Sequence, residues 1–94
     1  MMARSILVKN DAGDIVVALG ANYGGDGLAL TRSAKGKSLV ELTSTENGNG
    51  MVKTYQPNGK ILVALNSTDD GGLIEVSNKT GERIAQMGAD DYGN

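Results

Sequence analysis

The 94-residue sequence contains no cysteine and no histidine. Without cysteine there are no disulfides, no thiolate metal sites and no cysteine nucleophile. Without histidine the commonest general base and the commonest transition-metal ligand are missing. Phenylalanine and tryptophan are also absent, so three tyrosines are the only aromatic residues. A chain this short with so few large side chains builds only a thin core, and oligomerisation is a common supplement.

The sequence also lacks a basic cluster and a long apolar run. Its net charge is −2 and its lysines and arginines are scattered singly, so we expect no nucleic-acid partner and no anionic membrane partner. The longest wholly apolar run, residues 15–19, is too short to span a bilayer, and the first ten residues do not form a secretory signal. The compartment stays open between the cytoplasm and an exported or virion assembly.

What the sequence does contain is a repeat of 22 or 23 residues, in four units over residues 5–27, 28–50, 51–72 and 73–94. Three columns fix its register. Two are turn glycines, Gly13, Gly36, Gly59, Gly81 and then Gly25, Gly48, Gly71, Gly93; between them lies Leu19, Leu42, Leu65, Met87. We predict a single β-repeat domain over residues 1–94, or a fragment of a longer array.

Each unit is predicted to form two short strands. In the first strand, apolar residues alternate with others, as in Ile6 and Val8, which is typical of a β-strand. A turn with glycine at positive φ follows, and Pro57 falls in one such turn. The second strand carries the predicted structural core on one face, which comprises Val17, Leu19, Val40, Leu42, Val63, Leu65, Ala85 and Met87. Small residues continue this face at Ala21, Ser44, Ser67 and Ala89.

The opposite face of the second strand is also expected to be apolar. Its column reads Val16, Leu39, Leu62 and Ile84. A strand that is apolar on both faces is typically buried on both, so a second layer must come from coiling or from other chains. We therefore predict an all-β fold, most simply a trimeric β-helix or β-prism, with a single-chain β-solenoid or a twisted hairpin meander as alternatives.

The repeat, with its turn glycines and the leucine column between them, resembles tandem repeats in uncharacterised bacterial proteins. It is also similar, more loosely, to the repetitive shafts of phage tail fibres. Those shafts are trimeric β-helices or β-prisms in which each chain supplies strands to a shared apolar interior. The resemblance covers the whole chain, and it implies a structural role without catalytic residues.

Acidic side chains beside glycine form the other candidate site. Asp69, Asp70, Asp90 and Asp91 are weak calcium candidates, because stacked turns place oxygen ligands close together. The alternative is that Asp and Asn beside Gly cap turns through hydrogen bonds to the backbone, and this is the interpretation we favour. Adjacent carboxylates point different ways and do not face one bond as acid–base catalysis requires.

The sequence therefore predicts a non-catalytic structural protein, a stiff oligomeric shaft, spacer or assembly module. Its partner is expected to be itself, as a homo-oligomer and preferably a trimer. We expect no enzyme activity, no cofactor and no small-molecule ligand. The alternative is a monomeric binding module that presents its acidic glycine-rich turns to a glycan, a protein or calcium.

Overall fold

The computed structural model describes residues 4–90, which form eight β-strands. The strands are β1 (Ile6–Lys9), β2 (Ile15–Ala21), β3 (Gly27–Arg32), β4 (Ser38–Ser44), β5 (Gly50–Tyr55), β6 (Ile61–Thr68), β7 (Gly71–Ser77) and β8 (Arg83–Gly88). The predicted all-β class is confirmed. Among residues 4–90 no helix is long and apolar enough to cross a membrane.

All eight strands lie in one open sheet, in the order β1-β2-β3-β4-β5-β6-β7-β8. Each strand pairs antiparallel with the strands that precede and follow it in the chain. Short turns allow this order, because antiparallel neighbours need only a hairpin connection. For a single chain, the fold is thus the meander of hairpins, one of the arrangements that the sequence left open.

Six of the connections in the described chain are five-residue turns with one hydrogen-bond pattern. They span residues 10–14, 22–26, 33–37, 45–49, 56–60 and 78–82. The first residue's N–H donates to the fifth carbonyl at 2.7–3.0 Å, and the fourth residue's N–H donates to the first carbonyl at 2.8–3.0 Å. The fourth residue is always glycine, with φ between 82° and 93°. Only glycine adopts this φ without strain, which explains the predicted glycine columns.

The connection between β6 and β7 differs. Thr68 pairs with Gly71, so the hairpin closes through the two residues Asp69 and Asp70. Gly71 belongs to the strand and has a φ of 145°, unlike the turn glycines. The third repeat is one residue shorter than the first two. The missing residue lies here: four residues separate the paired Ser67 and Gly72, where five separate Ser44 and Gly50, and the outer two of the four pair with each other.

A β-bulge interrupts each hairpin that lies within one repeat. In the first, Val8 pairs with Val17 but Lys9 pairs with Ile15, which leaves Val16 without a directly opposite residue. The same shift recurs in the other three hairpins. The extra residues are Val16, Leu39, Leu62 and Ile84. A bulge of this kind adds local twist to the sheet and ends the regular alternation of faces.

The chain has almost no interior of its own. Its Cα atoms span 49 × 34 × 16 Å. Among the described residues Ala64, at 7% exposure, is the single buried apolar residue. One layer of sheet leaves both faces open to solvent, and a sheet is normally stable only when one face packs against something. What covers the sheet is therefore the central question about this protein.

Candidate functional site: the apolar face

One face of the sheet carries two continuous rows of residues without a charge, and we call it the apolar face. The first row is Val8, Val17, Thr31, Val40, Thr54, Val63, Val76 and Ala85. The second row is Ile6, Leu19, Ala29, Leu42, Val52, Leu65, Ile74 and Met87. Each residue pairs across the ladder with its neighbours in the row. The eight residues predicted as core on the second strands all lie in these rows.

Much of this face is open to solvent in the single chain. Nine of its sixteen residues are exposed: Ile6, Val8, Leu19, Val40, Leu42, Leu65, Ile74, Ala85 and Met87. The two rows cross all eight strands, which at about 4.8 Å per strand is roughly 38 Å of continuous uncharged surface. Contiguous apolar patches beyond a few hundred Å² are rare on soluble monomers and mark interaction surfaces.

The two threonines do not make the face polar. Thr31 Oγ1 accepts a hydrogen bond from the N–H of Val40 at 3.2 Å, and Thr54 Oγ1 accepts one from Val63 at the same distance. Each hydroxyl is thus occupied by the backbone of the neighbouring strand. A polar group that already has a partner is far less costly to cover than an unpaired one. The threonines are therefore compatible with a dry contact.

Side-chain size changes in a regular way across the face. The second row holds the six largest side chains, which are leucine, isoleucine and methionine, together with Ala29 and Val52, while the first row holds valine, threonine and Ala85. On the other side of the second row is a third, short row of glycine, alanine and serine, formed by the pairs Ala21–Gly27, Ser44–Gly50 and Ser67–Gly72. Ala89, the last of the predicted small residues, donates its N–H to Gly72 O at 3.4 Å. The side chains therefore project furthest from the sheet along the second row and less far along the first and third rows on either side of it.

The opposite side of the sheet, which we call the mixed face, is different. Its central row is Leu7, Ala18, Leu30, Glu41, Lys53, Ala64, Glu75 and Gln86. Arg83 forms a salt bridge with Glu75 at 3.2 Å. The residues that suggested a second apolar face on the second strands are those of the bulges, and two of them, Leu39 and Ile84, are 42% and 64% exposed in the single chain. The chain does not coil to bury both faces, and burial by other chains stays a prediction.

A hydrogen bond on the mixed face joins Tyr55 and Glu41. The tyrosine hydroxyl donates to Glu41 Oε1 at 2.8 Å. Burial of the phenol, then this hydrogen bond and the negative charge of Glu41, raise the pKa of Tyr55 from 10.0 to about 12. All three effects favour the neutral phenol over the phenolate. This pair was not predicted from the sequence, because it depends on which residues the register brings together across β4 and β5.

The acidic turns do not assemble into a metal site in the described chain. Asp69 and Asp70 form the two-residue turn, Asp90 follows β8, and Asp91 lies outside the described residues, as does Gly93. Within residues 4–90 no group of three or more acidic side chains is arranged to hold a metal ion. The Asp70 N–H donates to Thr68 Oγ1 at 3.2 Å, which is a hydrogen bond within the turn.

In most of the five-residue turns, the side chain of the first residue caps the turn by accepting hydrogen bonds from backbone N–H groups. Asn10 Oδ1 accepts from the N–H groups of Ala12 and Asp14, both at 3.0 Å. Asn22 and Asn78 cap their turns in the same way, and Ser33 and Thr45 each accept one such bond. These are side-chain mimics of a backbone turn. The signal in the sequence is a short polar residue three positions before the turn glycine.

In comparisons with known proteins, the chain matches no protein-family model and no curated protein. The apolar face is therefore the feature from which a function is inferred.

Proposed function

We propose that this chain is a non-catalytic structural protein that assembles with copies of itself through the apolar face. The observation that carries the proposal is an uncharged face of sixteen residues, nine of them exposed, while residues 4–90 contain one buried apolar residue. A charge-free surface of this kind is stabilised by removal from water, at about 25 cal/mol per Å². The assembled product would be a stiff shaft, spacer or assembly module.

The size of the face supports such a contact. It crosses all eight strands, or roughly 38 Å at about 4.8 Å per strand, so a partner sheet can cover it across the whole width of the sheet. Because the same face is present on every copy, a symmetric homo-oligomer covers it without any further partner. The mixed face, with its salt bridge and its glutamates, then faces solvent.

The gradation in side-chain size favours three copies around a shared axis. In a triangular prism of three sheets, the space behind each sheet is deepest at the middle of a side and narrows towards the corners. The large second row would lie at the middle, with the smaller first and third rows towards the corners. Two sheets packed face to face keep a separation of about 10 Å throughout, and would need no such gradation. We therefore favour a trimeric β-prism over a two-sheet sandwich.

The test is the mass of the protein in solution, measured by light scattering and sedimentation equilibrium. The smallest assembled species of the wild-type chain is expected at three times 9.7 kDa. Leu42→Glu places a carboxylate on the apolar face and should weaken assembly at least about 100-fold, because it buries an unpaired charge. Met51→Glu is the matched control: it puts the same charge on the adjacent strand but on the mixed face, and should leave the mass unchanged.

Two results would contradict the proposal. One is a wild-type chain that stays monomeric at all concentrations, which would favour the alternative of a monomeric binding module. The other is equal assembly of Leu42→Glu and wild type, with circular dichroism showing that both are folded. A dimer would retain assembly through the apolar face and exclude the prism.

A further inference from the structure

The sheet ends at two strands whose outer edges are unpaired within residues 4–90, β1 and β8. Both are exposed along their whole length, unlike the six strands between them. Met87 on β8 is 72% exposed, against 40–48% for Leu19, Leu42 and Leu65 in the same column. Unpaired strand edges are templates for the addition of another strand.

The two edges are complementary, because they match ladders that the chain already forms. Where the second strand of one repeat meets the first strand of the next, the same pairing recurs three times. The pairs are Leu19–Ala29, Leu42–Val52 and Leu65–Ile74 in one row, and Val17–Thr31, Val40–Thr54 and Val63–Val76 in the other. β8 carries the next residues of the second-strand columns, Ala85 and Met87. β1 carries the first residues of the first-strand columns, Ile6 and Val8.

We propose that β8 of one copy pairs antiparallel with β1 of another, with Met87 opposite Ile6 and Ala85 opposite Val8. Both rows of the apolar face then continue across the junction without a break. On the mixed face, Gln86 lies opposite Leu7. Any extended segment can add to a free edge, but a second copy of this chain is the partner that continues both rows in the register of the three internal ladders.

The charged residues of the two edge strands, Lys9 and Arg83, lie outside the segments that would pair. Natural sheets block their edges with charged residues, prolines or bulges. The segments that would pair, residues 85–87 and 6–8, contain no charge and no proline. The bulge at Ile84 lies just before its segment, as the bulge at Val16 does in β2, which nevertheless pairs with β3 from Val17 onwards. The bulge is therefore compatible with a ninth strand.

The contact joins two different surfaces, so it does not close on itself. Head-to-tail contacts of this kind produce open filaments unless their rotation closes a ring. Each copy would add eight strands, or roughly 38 Å at about 4.8 Å per strand, along the filament. This end-to-end contact goes beyond packing through the apolar face and does not rest on it, because the two contacts use different parts of the sheet.

Cross-linking tests the register directly, since the chain has no cysteine of its own. Leu7→Cys and Gln86→Cys are prepared as separate proteins, one of them isotope-labelled, and are mixed and oxidised. Both positions lie on the mixed face, away from any contact through the apolar face. Lys53→Cys, on the same face in the middle of the sheet, replaces either protein as the control.

The expected result is a labelled-to-unlabelled dimer that joins positions 7 and 86, at least about tenfold above the Lys53→Cys mixtures, because a disulfide needs Cα atoms within about 7 Å. Mass spectrometry of the linked peptides identifies the pair. Cross-linking no greater than in the control would overturn the proposal. So would dimers formed equally by either variant alone, since those indicate a symmetric contact between like edges.

A second pair of variants tests the same contact without oxidation. Leu7→Lys and Gln86→Lys in one chain place like charges opposite each other, and should lower the concentration-dependent growth in mass. Leu7→Lys with Gln86→Glu restores opposite charges and should restore the growth; equal growth in both would contradict the proposed register. In the Leu42→Glu background the Leu7–Gln86 cross-link should persist. Failure of the apolar-face contact and failure of the edge contact therefore give different results.

Discussion

Glu41 and Leu42 are neighbours on β4, yet they lie on opposite faces of the sheet and belong to columns of opposite character. The Leu42 column reads Leu19, Leu42, Leu65 and Met87. The Glu41 column reads Ala18, Glu41, Ala64 and Gln86. Both columns run through four hairpins that share one register shift, so each column shows which residues its position accepts.

The difference between these two columns indicates on which face the hairpins carry the same kind of residue. A face that meets solvent accepts alanine, glutamate or glutamine at one position, because each is tolerated there at small cost. A face that packs against a partner restricts its residues by size and excludes charge. By this criterion the apolar face behaves like the inner surface of a protein, although it is exposed in the single chain. Substitutions on the two faces test this difference.

The first is Leu65→Ala on the apolar face. If copies cover this face, the substitution removes buried methyl groups and should lower the free energy of unfolding by about 2–5 kcal/mol per chain. If no copy covers the sheet, the decrease in the free energy of unfolding should be much smaller, because Leu65 is then already 44% exposed. Urea unfolding at several protein concentrations measures the change.

Met51→Ala on the mixed face is the matched control for Leu65→Ala. It removes a side chain of similar size from the neighbouring strand, where no partner is proposed. We expect less than half the effect of Leu65→Ala, and no dependence of that effect on protein concentration. If both variants lowered the free energy of unfolding equally, the two faces would be equivalent, and the proposed difference between them would be contradicted.

The second prediction concerns Ala64 on the mixed face. Ala64 is 7% exposed and lies in the row between Lys53 and Glu75, so a larger side chain there must displace its neighbours. Ala64→Leu should destabilise the protein by about 1–3 kcal/mol, as overpacking does. Ala18→Leu, at the equivalent position of the first repeat, should change stability by no more than about 0.5 kcal/mol.

Thermal unfolding of the two variants side by side measures the difference. A smaller effect at Ala64 than at Ala18 would contradict it. Because both positions lie on the mixed face, neither variant should alter the mass of the assembly. The pair therefore separates burial produced within the chain from burial produced by a partner.

The sequence predicts much of this arrangement through its period of two. Alternation along each strand places Val17 and Leu19 on one face with Ile6 and Val8, and the register confirms that placement. The turn glycines are equally predictable, since a positive φ leaves little choice of residue. Both features depend only on residues close together in the chain.

Features that depend on small shifts between strands were not predictable in the same way. The column with Val16 looks like a second apolar face, because a bulge cannot be seen in an alternating pattern. The two-residue turn at Asp69 and Asp70 appears in the sequence only as one missing residue. The same applies to the pairing of Tyr55 with Glu41, since their strands meet in a register that the bulges and turns set.

The third and smallest prediction concerns that pair. Tyr55 holds its proton more tightly in the folded chain, with a pKa of about 12, than at its ordinary value of 10.0. Its contribution to stability is therefore intact below about pH 10 and is lost as the pH rises through about 12. Glu41→Gln removes the negative charge and should lower the pKa of Tyr55 towards 10.0, as measured by the ultraviolet absorbance of tyrosinate.

At neutral pH, Tyr55→Phe should cost only about 1 kcal/mol, the typical net contribution of one hydrogen bond. Tyr55→Phe should also remove the step at the highest pH from the titration of tyrosinate absorbance. Its disappearance would assign that step to Tyr55. If Glu41→Gln left the titration unchanged, the hydrogen bond at 2.8 Å would not hold the phenol in solution. Because the pair lies on the mixed face, both variants should assemble as the wild type does. A change in their mass would mean that this face also takes part in contacts between copies, and the contrast between the faces would fail.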